Sequence, residues 1–187
     1  MSNTIIHIDG VQGSGKTYIC QQLKNAECYD TDDIMYDAFN YIDENNLPKN
    51  DTTLHKVEKQ FVQNIIEKSK LNIIVFVGMT VKITNPNHKF FIKINKTDQG
   101  NVYKRLLSRE LDKIYNNYHK LKKVINDTTN ANHINGKIDE IAKLGVHFPV
   151  SFEEFIQDYK KRIQDAIKEK YVPKTQLNII KFINNLI

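Results

Sequence analysis

The chain has 187 residues, 40% apolar and 26% charged, with a formal net charge of +5 and a pI near 9.0. That length suits one α/β domain with a sizeable core, and the composition is ordinary for a soluble protein. No run of eighteen apolar residues is present, which argues against a membrane-spanning helix, and the start runs straight into a strand rather than a leader peptide.

In chain order, Thr4–Ile8 is a short, β-branched apolar run that predicts a buried strand. It leads directly into Gly10-Val11-Gln12-Gly13-Ser14-Gly15-Lys16-Thr17, which fits the phosphate-binding pattern G-x-x-x-x-G-K-[ST] at every fixed position. Ile19, Cys20 and Leu23 then give a helix ending near Asn25. Ala26–Tyr29 is a very short strand running into Asp30-Thr31-Asp32-Asp33, where an aspartate caps a helix through Ile42. After Asn45–Pro48, Thr52 or Thr53 caps a third helix with Leu54, Val57, Phe61 and Ile65 on its apolar side. Leu71–Val77 is the most apolar run and predicts a central parallel strand, with a fourth over Lys89–Ile94.

A long helix over Gly100–Val124 follows, then an asparagine-rich loop over 126–136 and a short helix over 137–144. Ser151 with Glu154 forms a capping box before an amphipathic helix carrying Phe152, Phe155, Ile156, Tyr159, Ile163 and Ile167. Tyr171–Pro173 is a last edge strand. Thr175 caps a closing helix with Ile179, Ile180, Phe182, Ile183 and Leu186 toward the core. Strands alternating with helices predict a parallel sheet covered on both faces. The whole, 1–187, reads as one domain with 100–150 as a lid or insertion.

The glycine loop explains its own composition. Glycines let successive N–H groups converge into an anion-binding nest, and the helix dipole adds to it. Gly10, Gln12, Gly13, Ser14, Gly15, Lys16, Thr17 and Tyr18 form the expected nucleotide-binding set. Lys16 reaches the β- and γ-phosphates of ATP, and the Thr17 hydroxyl sits on Mg²⁺.

Two further clusters carry chemistry. The aspartates of Asp30–Asp33 end the second strand, so they open onto the same crevice as the loop. Asp32 is the first choice for a base that takes the acceptor proton, and Asp30 for a metal contact; a helix cap is the plainer role for at least one of them. Asp9, just before the loop, is suited to touch metal or acceptor, or only to bond loop amides. Arg105 and Arg109 lie four apart on one helix, in a chain with three arginines against 24 lysines. Planar guanidinium groups suit a transferring phosphoryl group, although Glu110 and Asp112 offer them surface partners. Asn95-Lys96-Thr97-Asp98 also spells the guanine-reading N-K-x-D pattern, without the aspartate that GTPases carry after strand three.

Loop, Asp-x-Asp and Arg-x-x-x-Arg together resemble the P-loop kinases of small molecules, a group spanning nucleoside, nucleotide and shikimate-type kinases and polynucleotide 5′-kinases. The resemblance implies a five-stranded parallel sheet in order 2-3-1-4-5 with a helical lid. It further implies ATP and Mg²⁺ as cofactors, and transfer of the γ-phosphate to a nucleoside- or nucleotide-like acceptor. By the same resemblance Asp30 serves the metal, Asp32 the acceptor, and Arg105 and Arg109 close as lid arginines. A polynucleotide 5′-hydroxyl acceptor is the alternative, and a GTP-binding or NTP-hydrolysing module the further one. The basic charge allows nucleic acid, but the lysines are spread rather than clustered. Cys20 and Cys28 sit at no metal-ligand spacing, so two reduced thiols and a cytoplasmic setting are expected. Heavy use of Lys, Asn and Ile is what an AT-rich viral or parasite genome would write.

Overall fold

The structure, a computed structural model, describes residues 3–127 and 151–186. The predicted helix over 137–144 and the asparagine-rich loop beyond Asp127 lie outside the described residues. The chain divides into two compact units, Met1–Asn95 with Lys160–Ile187, and Lys96–Tyr159.

The first unit is an α/β layer structure. Its strands are β1 (Thr4–Asp9), β2 (Glu27–Asp30), β3 (Ile73–Val77), β4 (His88–Ile92) and β5 (Val172–Lys174). They form one five-stranded sheet in the order β2-β3-β1-β4-β5, with every pair parallel. Parallel neighbours need crossover connections, and helices supply them except between β3 and β4, where residues 78–87 carry no helix. The first helices are α1 (Lys16–Gln22), α2 (Thr31–Glu44) and α3 (Asp51–Lys68). The chain then passes through α4 (Gln99–Asp127) and α5 (Phe152–Lys168), which begins in the second unit and ends in the first, to α6 (Gln176–Asn184).

Strand alternation sends the two side-chain sets of β1 and β3 to opposite layers. Ile6, Ile8, Ile73, Val75 and Val77 pack with Phe90, Ile92, Ile19 of α1, and Ile179 and Ile183 of α6. Ile74 and Phe76 pack with Ile34 of α2, Val62 of α3, Val81 and Ile83. Ile8 is fully buried, so truncation to Ala would cost about 2–5 kcal/mol. A strand buried on both faces must read as a continuous apolar run, and β3 does.

The caps follow from local chemistry. Asp30 caps α2 by accepting from the Asp32 N–H, and Thr175 caps α6 by accepting from the Asn178 N–H. The cap of α3 is Asn50, whose Oδ1 accepts from the Thr53 N–H at 2.9 Å, not Thr52 or Thr53 as expected. Ser151 Oγ accepts from the Glu154 N–H at 3.2 Å, the first half of the expected capping box. Leu186, expected toward the core, is exposed, as are Phe152 and Ile167. The two thiols expected to be free are instead joined: Cys20 of α1 and Cys28 of β2 form a disulfide with Cα atoms 5.6 Å apart. The short turn between α1 and β2 brings them within bonding reach, which spacing alone did not reveal.

In the second unit, a 3₁₀ turn at Lys96–Asp98 precedes α4. Val102, Leu106, Phe155 and Tyr159 are buried, and the Tyr103 ring meets those of Phe152 and Phe155 at 5.7 and 5.6 Å. Among the described residues, no helix is long and apolar enough to cross a membrane.

Candidate functional site

Strand register brings the chemistry to one edge. Val77, at the end of β3, has Ile8 of β1 on one side and Asp30 of β2 on the other. The ends of β1 and β2 therefore stand level, two strand spacings or about 10 Å apart. Asp9, Gly10 and Asp30 consequently share the carboxyl edge of the sheet, where open parallel sheets bind their ligands.

The loop that leaves β1 is tightly organised. Gly13 and Gly15 have φ of 77° and 88°, and Gly15 is the left-handed N-cap of α1. A side chain at Gly15 would also collide with Gln176, whose Nε2 donates to the Ser14 carbonyl and so ties α6 to the loop. Lys16, the first residue of α1, reaches back so that Nζ donates to the Gly10 carbonyl at 2.8 Å. Ser14 is buried, and its Oγ is a buried polar atom without a hydrogen-bond partner. An orphaned buried hydroxyl costs about 1–3 kcal/mol. Gln12, Thr17 and Tyr18 are exposed at the mouth of the loop.

Electrostatics tie the loop to the carboxylates. Burial pulls the Lys16 ammonium below its ordinary pKa, while the nearby charges of Asp9, Asp30 and Asp32 push it up. Burial likewise raises the Asp9 carboxyl, against the pull of the Gly10 N–H, Lys16 and Arg162. Asp9 is 1% exposed, and its Oδ1 accepts from Gly10 N at 2.6 Å.

The Asp-x-Asp separates into two roles. Asp30 Oδ1 is engaged as the α2 cap, at 3.0 Å from Asp32 N. Asp32 is exposed, with Oδ1 at 2.9 Å from the Thr80 hydroxyl, which also lies 2.8 Å from the Thr31 hydroxyl. Thr80 has one proton, so donating it to Asp32 leaves its oxygen to accept from Thr31. This chain links the turn after β3 to the start of α2. The same turn contains Gly78 at φ 118°, where a Cβ would strike the Thr31 Oγ1.

A cavity of about 340 Å³ opens beside Asp9, lined also by Met79, Arg162, Asp165, Ala166, Glu169 and Tyr171. Beneath it His7 is buried, with Nε2 at 2.7 Å from the Gly78 carbonyl and Nδ1 at 2.8 Å from the Tyr171 hydroxyl. Burial lowers the His7 pKa, so the ring is neutral. Nε2 then donates to Gly78, and Nδ1 accepts from Tyr171.

Lys16, Asp30 and Asp32 are thus brought together with the loop, and Asp9 joins them. Arg105 and Arg109 belong to the second unit, both exposed on α4. Asn95–Asp98 is exposed as well, within and just before the 3₁₀ turn. Tyr36, Phe39 and Tyr41 are exposed on α2, with Tyr41 edge-on to Phe61 at 5.9 Å. Sequence reading passed over Arg162, an exposed residue in a Lys-Lys-Arg run that resembles a solvated face, and over His7, Gln176 and Tyr171. Among the described residues, no three His, Cys, Asp or Glu side chains gather as a metal-holding group. Compared with known proteins, the chain matches no protein family and no curated protein.

Proposed function

We propose that the chain is a P-loop phosphotransferase of the small-molecule kinase type, moving the γ-phosphoryl group of ATP to a hydroxyl or phosphate of a nucleoside- or nucleotide-like acceptor. The observation that carries this reading is the loop of β1 and α1. Its left-handed glycines, its buried Ser14 hydroxyl and its Lys16 ammonium stand within one eight-residue loop, and the charges of Asp9, Asp30 and Asp32 act on Lys16. Anion-binding donors facing general-base candidates are what phosphoryl transfer requires and simple anion storage does not.

In this reading the loop amides and Lys16 hold the triphosphate. The oxygen donors Thr17, Asp30 and Asp32 fit Mg²⁺, a hard cation that takes few protein ligands and completes its shell with water and phosphate. Bound there, Mg²⁺ would neutralise charge on the phosphates. The acceptor oxygen forms a bond to the γ-phosphorus while the bond from that phosphorus to the bridging oxygen breaks. ADP leaves, and the acceptor proton passes to a carboxylate. Asp32 is accessible for that task; Asp9 is the second candidate, buried against the cavity with a raised pKa that suits a base. Arg105 and Arg109 are assigned to the phosphoryl group as lid residues.

The test is γ-labelled ATP, with GTP in parallel, against pools of nucleosides, nucleoside monophosphates, 5′-hydroxyl oligonucleotides and small metabolites. Wild type, Asp32→Asn and Asp9→Asn are run together. Label reaching one pool, and lost in one aspartate variant, supports the reading and names the base. Label released only as phosphate, with GTP preferred and both variants unaffected, overturns it in favour of a guanine-nucleotide module.

A further inference from the structure

The third arginine lies in the same unit as the glycine loop. We infer that Arg162 is a catalytic residue that contacts the γ-phosphoryl group, acting from the wall of the cavity beside Asp9. The inference rests on the phosphotransferase reading above and adds a residue that reading did not use.

Geometry supports it first. Residues 162 and 166 fall at i and i+4 of α5 and Glu169 follows its last residue; all three line the cavity that Asp9 also lines. Ala166 is 6% exposed and small enough to leave the space open. Asp9 precedes Gly10, whose carbonyl is the contact of Lys16 Nζ. Arg162 therefore stands across the cavity from the carboxylate adjoining the phosphate loop. The charges agree with this placement: Arg162 acts on Asp9 as an opposite charge and on Lys16 as a like charge. Asp9 carries the opposite charge that the two cations share, so Arg162 and Lys16 face the same carboxylate.

Composition gives the reason for the residue type. The chain uses 24 lysines and three arginines, and Lys160 and Lys161 immediately precede Arg162. A guanidinium at this position gives a planar, permanently charged fork that can hold two phosphate oxygens at once, which an ammonium cannot. Such a group, aimed at charge that develops during transfer, stabilises the transition state more than the bound substrate.

The test uses the full chain, with Mg²⁺, and two probes: ADP and the β,γ-imido analogue of ATP. Calorimetry on wild type, Arg162→Ala and Arg162→Lys gives their affinities, and thermal melts check folding. The expected result is a loss of tenfold or more for the imido analogue in Arg162→Ala, less than twofold for ADP, and partial recovery in Arg162→Lys. Label transfer should fall at least a hundredfold in kcat in Arg162→Ala. Equal losses for both nucleotides, or no loss for either, overturn the inference. If wild type binds both nucleotides with the expected difference but moves no label to any acceptor, the phosphotransferase reading fails while the γ-phosphate contact stands. If wild type binds neither nucleotide, both fall.

Discussion

His7 Nε2 donates to the carbonyl of Gly78 at 2.7 Å, joining the middle of β1 to the turn after β3 inside the protein. The other ring nitrogen accepts from Tyr171 at 2.8 Å, so one neutral imidazole spans three segments that border the cavity beside Asp9. Folding holds this ring below its ordinary pKa of 6.5, chiefly by burial. Below that pH the unfolded chain binds a proton that the native state refuses, so stability present above 6.5 is lost as pH falls. The slope from this one group is at most about 1.4 kcal/mol per pH unit. Urea unfolding at pH 7.5, 6.5 and 5.5 should show His7→Gln less stable than wild type at 7.5 but with a flatter acid limb. Parallel limbs would contradict the assignment.

Asp9 has the opposite sign. Its carboxyl is raised above 3.8, mainly by burial, so the native state holds a proton that the unfolded chain has released. Stability is therefore lost as pH rises from 3.8 through the raised native value, and at neutral pH the ionised carboxylate is a cost. Asn keeps the shape and the acceptor for the Gly10 N–H. Asp9→Asn should match or exceed the wild-type melting temperature at pH 7.5, which scanning calorimetry measures. A lower melting temperature would mean that the carboxylate is stabilising. A melting temperature raised by the substitution would mark Asp9 as a residue kept at a cost to stability.

The Cys20–Cys28 disulfide closes a short loop, at a sequence separation of 8, between the helix that follows the phosphate loop and the strand that ends at Asp30. By loop entropy its reduction should cost about 2–3 kcal/mol. Chemical unfolding with and without dithiothreitol, alongside a Cys20→Ser/Cys28→Ser double variant, checks this. The double variant should be indifferent to reductant; equal stability of oxidised and reduced wild type would contradict the estimate.

Gln176 holds the Ser14 carbonyl from the start of α6. Removing that amide deletes one hydrogen bond worth roughly 0.5–1.5 kcal/mol to the loop. Gln176→Ala should weaken Mg·ATP binding about two- to tenfold by calorimetry, with little change in the melting temperature. Unchanged affinity would show that the loop keeps its form without the tie.

Much of this was legible before any coordinates. The glycine loop is a local device: each residue type answers to backbone geometry within eight positions, so its pattern survives in one dimension. β3 was equally plain, because a strand buried on both faces has only apolar residues to show. Thr175 as a cap, and an aspartate of Asp30–Asp33 as another, were readable for the same local reason. What escaped depends on distant partners. Arg162 reads as one more cation on a solvated face, and only the packing of α5 beside the end of β1 gives it a site. His7 reads as one polar residue in an apolar strand until Tyr171 and Gly78, 164 and 71 positions away, meet its two nitrogens. Asn50 displaced Thr52 and Thr53 as a cap because the helix begins two residues earlier than its apolar periodicity suggests. The disulfide needed the turn between α1 and β2 to be seen in space.

The measurement closest to the central claim is calorimetric titration of Mg·ATP into the wild-type chain and Lys16→Ala, with Mg·GTP as the parallel titrant. A nucleotide site in the loop predicts saturable one-to-one binding of ATP to wild type, weakened at least a hundredfold by loss of the Lys16 ammonium. No binding of either triphosphate to the wild-type chain, or equal affinity in the Lys16→Ala variant, would contradict it.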